Sequence, residues 1–85
     1  MVDQIRRAAS SITSNIAEGF GRYSYREKIR FYYIAQGSLT ELKDQVLIAK
    51  DVGHLTEDDF SKLVEQSNKT HALLQGLIQK TKTFI

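Results

Sequence analysis

Not one proline interrupts the 85 residues, and the apolar residues recur at helical spacing in three long runs. Proline inside a helix removes a backbone donor and clashes with the preceding turn, so its absence leaves long helices unopposed. The longest run begins at Ser24. Its stripe is Phe31, Ile34, Ala35, Leu39, Leu42, Val46, Ala49 and Val52, and Gly53 follows as a C-terminal cap. Ser24 and Glu27 have the spacing of a capping box. The predicted helix covers residues 24–52, roughly 43 Å at 1.5 Å per residue.

Two further helices flank it. Val2, Ile5, Ala9, Ile12, Ile16 and Phe20 predict a helix over residues 2–20, closed by a left-handed glycine around Gly19-Phe20-Gly21. The third covers residues 56–83, with Thr56 as N-cap and Glu57, Asp58 and Asp59 facing the positive end of the helix dipole. Leu55 and Phe60 stand where a hydrophobic staple places its two apolar residues. Its stripe runs through Leu63, Val64, Ser67, His71, Leu74, Leu77, Ile78 and Ile85. The connections, near 21–23 and 53–55, are short enough to force antiparallel neighbours. The expected fold is all-α, an up-and-down antiparallel helical bundle forming one domain over residues 1–85.

The apolar surface is wide for three helices. Ile29, Tyr32, Tyr33, Leu47, Ile48 and Leu73 point away from the main stripes. A surplus of that width predicts a further helix or a second subunit. A chain this short buries only about 60–65% of its unfolded surface, and without cysteine it has no disulfide to compensate, so association is the expected supplement. Gly37, in mid-helix, costs about 1 kcal/mol against alanine, which a close helix or subunit contact would offset.

Charge is uneven although the net value is only +2. All five arginines fall between residues 6 and 30. Around the first turn, Arg22, Tyr23, Tyr25, Arg26, Lys28 and Arg30 interleave cations with aromatic rings. Guanidinium groups pair with phosphates and tyrosines stack on unpaired bases. Together with Arg6 and Arg7 these residues form the candidate nucleic-acid surface; the alternative is a solvated basic helix end whose tyrosines pack. Asn15 and Glu18 form a further polar pair, expected either to bond an arginine of the second helix or to satisfy local backbone.

Other chemistry finds little footing. His54 and His71 lack the spacing of a metal pair, and the sequence predicts no metal site, no cofactor and no catalytic centre. Gly19-Phe20-Gly21 lacks the further glycine and the Lys-Ser pair of a phosphate loop. No run approaches 18 apolar residues, and the start has no signal-peptide pattern, so the expected location is the cytoplasm, without a membrane role.

Three ordered blocks carry a resemblance. Gln4-Ile-Arg-Arg-Ala-Ala-Ser-Ser-Ile-Thr-Ser-Asn-Ile-Ala-Glu-Gly-Phe-Gly-Arg22, Phe31-Tyr-Tyr-Ile-Ala-Gln-Gly-Ser-Leu-Thr-Glu-Leu42 and Ile48-Ala-Lys-Asp-Val-Gly-His-Leu55 closely resemble bacterial four-helix bundle proteins, also called 23S rRNA intervening-sequence proteins. A related branch is the accessory variability protein of diversity-generating retroelements. The resemblance implies a four-helix bundle that assembles as a homopentamer, and the related branch looks like a basic pentamer that binds nucleic acid and reverse transcriptase; with the arginine-rich surface, the expected function is that of a non-enzymatic protein that binds RNA or DNA. The alternative is a structural or protein-interaction scaffold with a protein partner and no nucleic-acid role. Members carry another helix before the first block, so this chain presents three helices of a four-helix pattern.

Overall fold

A computed structural model describes residues 2–85; Met1 and the side chain of Val2, the first residue of the predicted stripe, lie outside what it describes. Three helices follow in order: α1 (Val2–Phe20), α2 (Tyr25–Asp51) and α3 (Glu57–Lys82). No strand occurs among the described residues. Ser24 caps α2 by accepting the Glu27 amide at 3.1 Å, while the Glu27 carboxylate accepts from the Ser24 hydroxyl at 3.3 Å. Thr56 caps α3 in the same way, accepting from the Asp59 amide at 3.1 Å. Leu55 and Phe60 on either side of that cap both pack against the core.

The α2–α3 turn closes on backbone bonds. The His54 amide donates to the Ala49 carbonyl at 2.8 Å and the Gly53 amide to Lys50 at 3.0 Å, the paired bonds of a Schellman motif. Gly53 holds φ 84°, a conformation in which a side chain would crowd the following carbonyl. Lys50 then closes over the turn, 3.5 Å from the Glu57 carboxylate and 4.3 Å from the Phe60 ring centroid.

Helix α2 is the centre of the fold. Helices α1 and α3 each pack antiparallel on it, and their backbones do not approach one another. The core is a single seam of Ala8, Ile12, Tyr32, Ala35, Leu39, Leu42, Val46, Leu74 and Ile78. Two sequence expectations shift by a residue or two here. Ala8 is buried where Ala9 was expected, and Tyr32 is buried while Ile34 is 45% exposed. Adjacent apolar residues satisfy a helical period almost equally well, and the position of the neighbouring helix decides between them. Burial pushes the Tyr32 phenol above its ordinary pKa of 10.0.

Because α1 and α3 stand apart, a groove of about 560 Å³ lies between them. Its floor is Leu39 and Leu42, and Ile5, Ile16, Phe20 and Leu73 stand in its walls. Of the apolar residues expected in surplus, Tyr33, Leu47, Ile48 and Leu73 are exposed, while Tyr32 is buried and Ile29 packs half-buried against the core; Ile34 and Val52, expected in the stripe of α2, are exposed as well. No other helix packs on Gly37: outside its own helical turn, no atom lies within 4 Å of where its Cβ would stand. Its neighbour Ser38 makes the inter-helix contact instead. The Ser11 and Ser38 hydroxyls are 2.8 Å apart, and Asn15 donates to the Ser11 carbonyl at 2.7 Å.

Candidate functional site

Helix α1 ends by a mechanism the sequence reading did not anticipate. No glycine adopts a left-handed conformation there; Gly53 is the one positive-φ residue among those described. Instead the Lys28 ammonium reaches back from α2 and donates to the Gly19 carbonyl at 3.3 Å and the Phe20 carbonyl at 2.9 Å. A cation at a helix C-terminus bonds its last carbonyls and complements the dipole; the Gly19 carbonyl accepts from the Arg22 amide as well, at 3.3 Å. Gly19 serves a different need. A Cβ at that position would meet the Tyr32 ring at 2.5 Å and the Lys28 carbonyl at 3.2 Å. Its bare backbone lets the turn close over the buried tyrosine, and Phe20 meets Tyr32 edge-on at 5.9 Å.

The turn sorts the candidate residues into two kinds. Lys28 is half-buried and committed to the carbonyls of α1. Arg22 pairs with Glu18 at 3.2 Å and lies 4.7 Å from the Phe31 ring centroid. Arg30 approaches the same ring at 5.3 Å, so two guanidinium groups flank half-buried Phe31 and remain at the surface. Glu18 therefore bonds Arg22 in the turn, and Asn15 satisfies local backbone within α1. Arg26 is exposed and Tyr23 is fully exposed. Tyr25 is 42% exposed and stacked on another ring.

Arg6 and Arg7 do not join this group. Both are exposed on α1, and about 20 Å of helix separates them from its end at Phe20, at 1.5 Å per residue. The candidate surface is thus a cluster at the first turn, plus two arginines toward the far end of α1.

The fold adds residues that no local pattern could have revealed. Because α3 runs antiparallel to α2, its last turn arrives beside the first turn of α2. Phe84 stacks on Tyr25 with centroids 4.6 Å apart and planes inclined by 15°. The Lys82 ammonium lies 5.8 Å from the Tyr33 centroid. One end of the molecule therefore gathers Arg22, Arg26, Arg30 and Lys82 with Tyr23, Tyr25 and Phe84. Of the acidic residues there, Glu18 is paired with Arg22 and Glu27 is held by Ser24.

Among the described residues no group of three His, Cys, Asp or Glu side chains is placed to hold a metal ion. No helix described is long and apolar enough to cross a membrane. A sequence model for the family described as 23S rRNA-intervening sequence protein matches residues 1–76. No curated protein matches the chain.

Proposed function

The chain belongs to the 23S rRNA-intervening sequence protein family, and from that premise we propose that it is a non-enzymatic, cytoplasmic nucleic-acid-binding protein that works as an assembly of its own copies. The carrying observation is the end of the molecule where Arg22 and Arg30 flank the Phe31 ring, Lys82 lies over Tyr33, Arg26 is exposed, and Tyr23, Tyr25 and Phe84 present exposed rings, with Glu18 paired to Arg22 and Glu27 bonded by the Ser24 hydroxyl. Phosphates would be held by the guanidinium groups, and an assembly would repeat the patch and enlarge its field. Arg6 and Arg7 extend contact along α1 rather than sharing the main patch.

Self-assembly draws its support from the open groove and the exposed apolar residues of α2. A second copy over these surfaces would remove them from water. A homopentamer is the assembly that the resemblance implies, and light scattering measures it directly.

The test of binding is a gel shift with RNA and DNA at low and raised salt. The expected result is binding that weakens steeply as salt rises, because neutralised phosphates release counterions. Arg26→Gln with Arg30→Gln should weaken it across sequences. Absence of binding at low salt by the assembled protein would overturn the reading. The same apolar groove would then favour a scaffold whose partner is another protein.

A further inference from the structure

We infer that the stacked Tyr25–Phe84 pair is a platform for an unpaired base, with Lys82 holding the adjoining phosphate, so that the basic end selects single-stranded over duplex nucleic acid. This deepens the nucleic-acid reading above and rests on it. The pair is a surface feature and not part of the core: Tyr25 is 42% and Phe84 55% exposed, yet their planes lie within 15° of parallel. A stacked pair at the surface keeps an outer ring face open. Every base has a flat face that such a ring can receive, whereas bases in a duplex already stack on one another.

The platform is also built rather than frayed. Thr81 is buried and its hydroxyl donates to the Leu77 carbonyl at 2.6 Å. Thr83 donates from its side chain to Lys80 at 2.6 Å, and the Phe84 amide donates to Thr81 at 3.0 Å. These bonds carry the last turn of α3 on past Lys82 and fix where Phe84 stands. Lys82, two residues before Phe84, lies over Tyr33, which is eight residues or about 12 Å along α2 from Tyr25, and Tyr23 stands fully exposed just before the N-cap of α2. A strand with a base on the Tyr25–Phe84 pair would have the Lys82 cation within reach of its phosphates.

Fluorescence anisotropy with a labelled short RNA of mixed sequence, single-stranded and as a duplex of equal length, tests this. The wild-type protein should prefer the single strand. Phe84→Ala should weaken single-strand binding roughly 5- to 100-fold, the range expected for losing one base–aromatic stack, and leave duplex binding unchanged. Phe84 carries no charge, so the salt slope of Phe84→Ala should match the wild type, while Lys82→Gln should reduce it by about one. Phe84→Leu keeps an apolar side chain but no flat ring; it should behave like Phe84→Ala, with circular dichroism confirming an unchanged helical fold. Equal affinity for both probes, or full single-strand affinity in both Phe84 variants, would overturn the inference and leave the nucleic-acid reading standing. Failure of the wild type to bind either probe at low salt would overturn both.

Discussion

The two turns of this molecule solve the same problem by different means. At the α2–α3 turn the last carbonyls of the helix are closed by backbone amides through the Schellman bonds at Gly53, Thr56 caps the next helix, and the Lys50 side chain lies over the outside against Glu57 and Phe60. At the α1–α2 turn the Gly21 amide donates to the Ala17 and Glu18 carbonyls and the Arg22 amide to that of Gly19, while a lysine from the next helix donates to the carbonyls of Gly19 and Phe20. Arg22 is held there by Glu18 and Phe31. A turn that closes itself can carry almost any surface. A turn closed by cations concentrates positive charge where the chain reverses, and only some of that charge is free for a ligand. The residue pattern of the first turn therefore mixes structural and ligand-facing cations, and their partners tell them apart.

The largest effect should come from Gly19, where the first turn is tightest. Gly19→Ala would press a methyl group against the Tyr32 ring and should destabilise the protein by about 1–3 kcal/mol, as overpacking does in a filled interior. Urea denaturation measures it. If the clash is with the ring, combining Gly19→Ala with Tyr32→Leu should cost less than the sum of the two single changes. Simple additivity would mean that Tyr32 is not what the methyl meets.

The second turn should respond to backbone conformation alone. Apart from the residues bonded to it, nothing lies within 4 Å of a Cβ at Gly53, so Gly53→Ala meets only the local strain of φ 84°. The expected loss is about 1 kcal/mol, and Gly53→Asn should lose less because asparagine tolerates the left-handed region. If asparagine and alanine were equally costly, the loss would have a source other than φ.

The same contrast explains what the sequence could and could not disclose. The caps at Ser24 and Thr56, the glycine at 53 and the helical class all follow from short-range chemistry, and each is present. The capping lysine was missed because Lys28 looks like any basic residue in a first turn; its partners lie in the preceding helix. The burial of Tyr32 in place of Ile34 depends on the direction from which α1 and α3 approach, which periodicity does not contain. Phe84 and Lys82 join the basic end only because α3 returns antiparallel along α2, so their place was invisible to any local motif. The width of the apolar surface, in contrast, was legible as a surplus, because the number of apolar side chains around α2, with Leu73 of α3, exceeds what three helices can cover.

Lys28 and Arg26 give the finest test of the division between the two kinds of cation. They lie two residues apart in the first turns of α2 and carry the same charge, so sequence offers no reason to separate them. Lys28→Met removes the hydrogen bonds to Gly19 and Phe20 while keeping the length of the apolar stem. It should cost about 0.5–1.5 kcal/mol, the net value of an ordinary intramolecular hydrogen bond. Arg26→Met removes an exposed group and should stay within about 0.5 kcal/mol of the wild type. Nucleic-acid affinity should rank them in the opposite order. Loss of Arg26 should reduce binding and flatten its salt dependence by about one phosphate contact, whereas loss of Lys28 should leave the slope unchanged. If Lys28→Met flattened the slope as much as Arg26→Met, the ammonium would be leaving the α1 carbonyls to meet phosphate. The first turn would then be a ligand-responsive contact, and the difference between the two turns would be one of function as well as of closure.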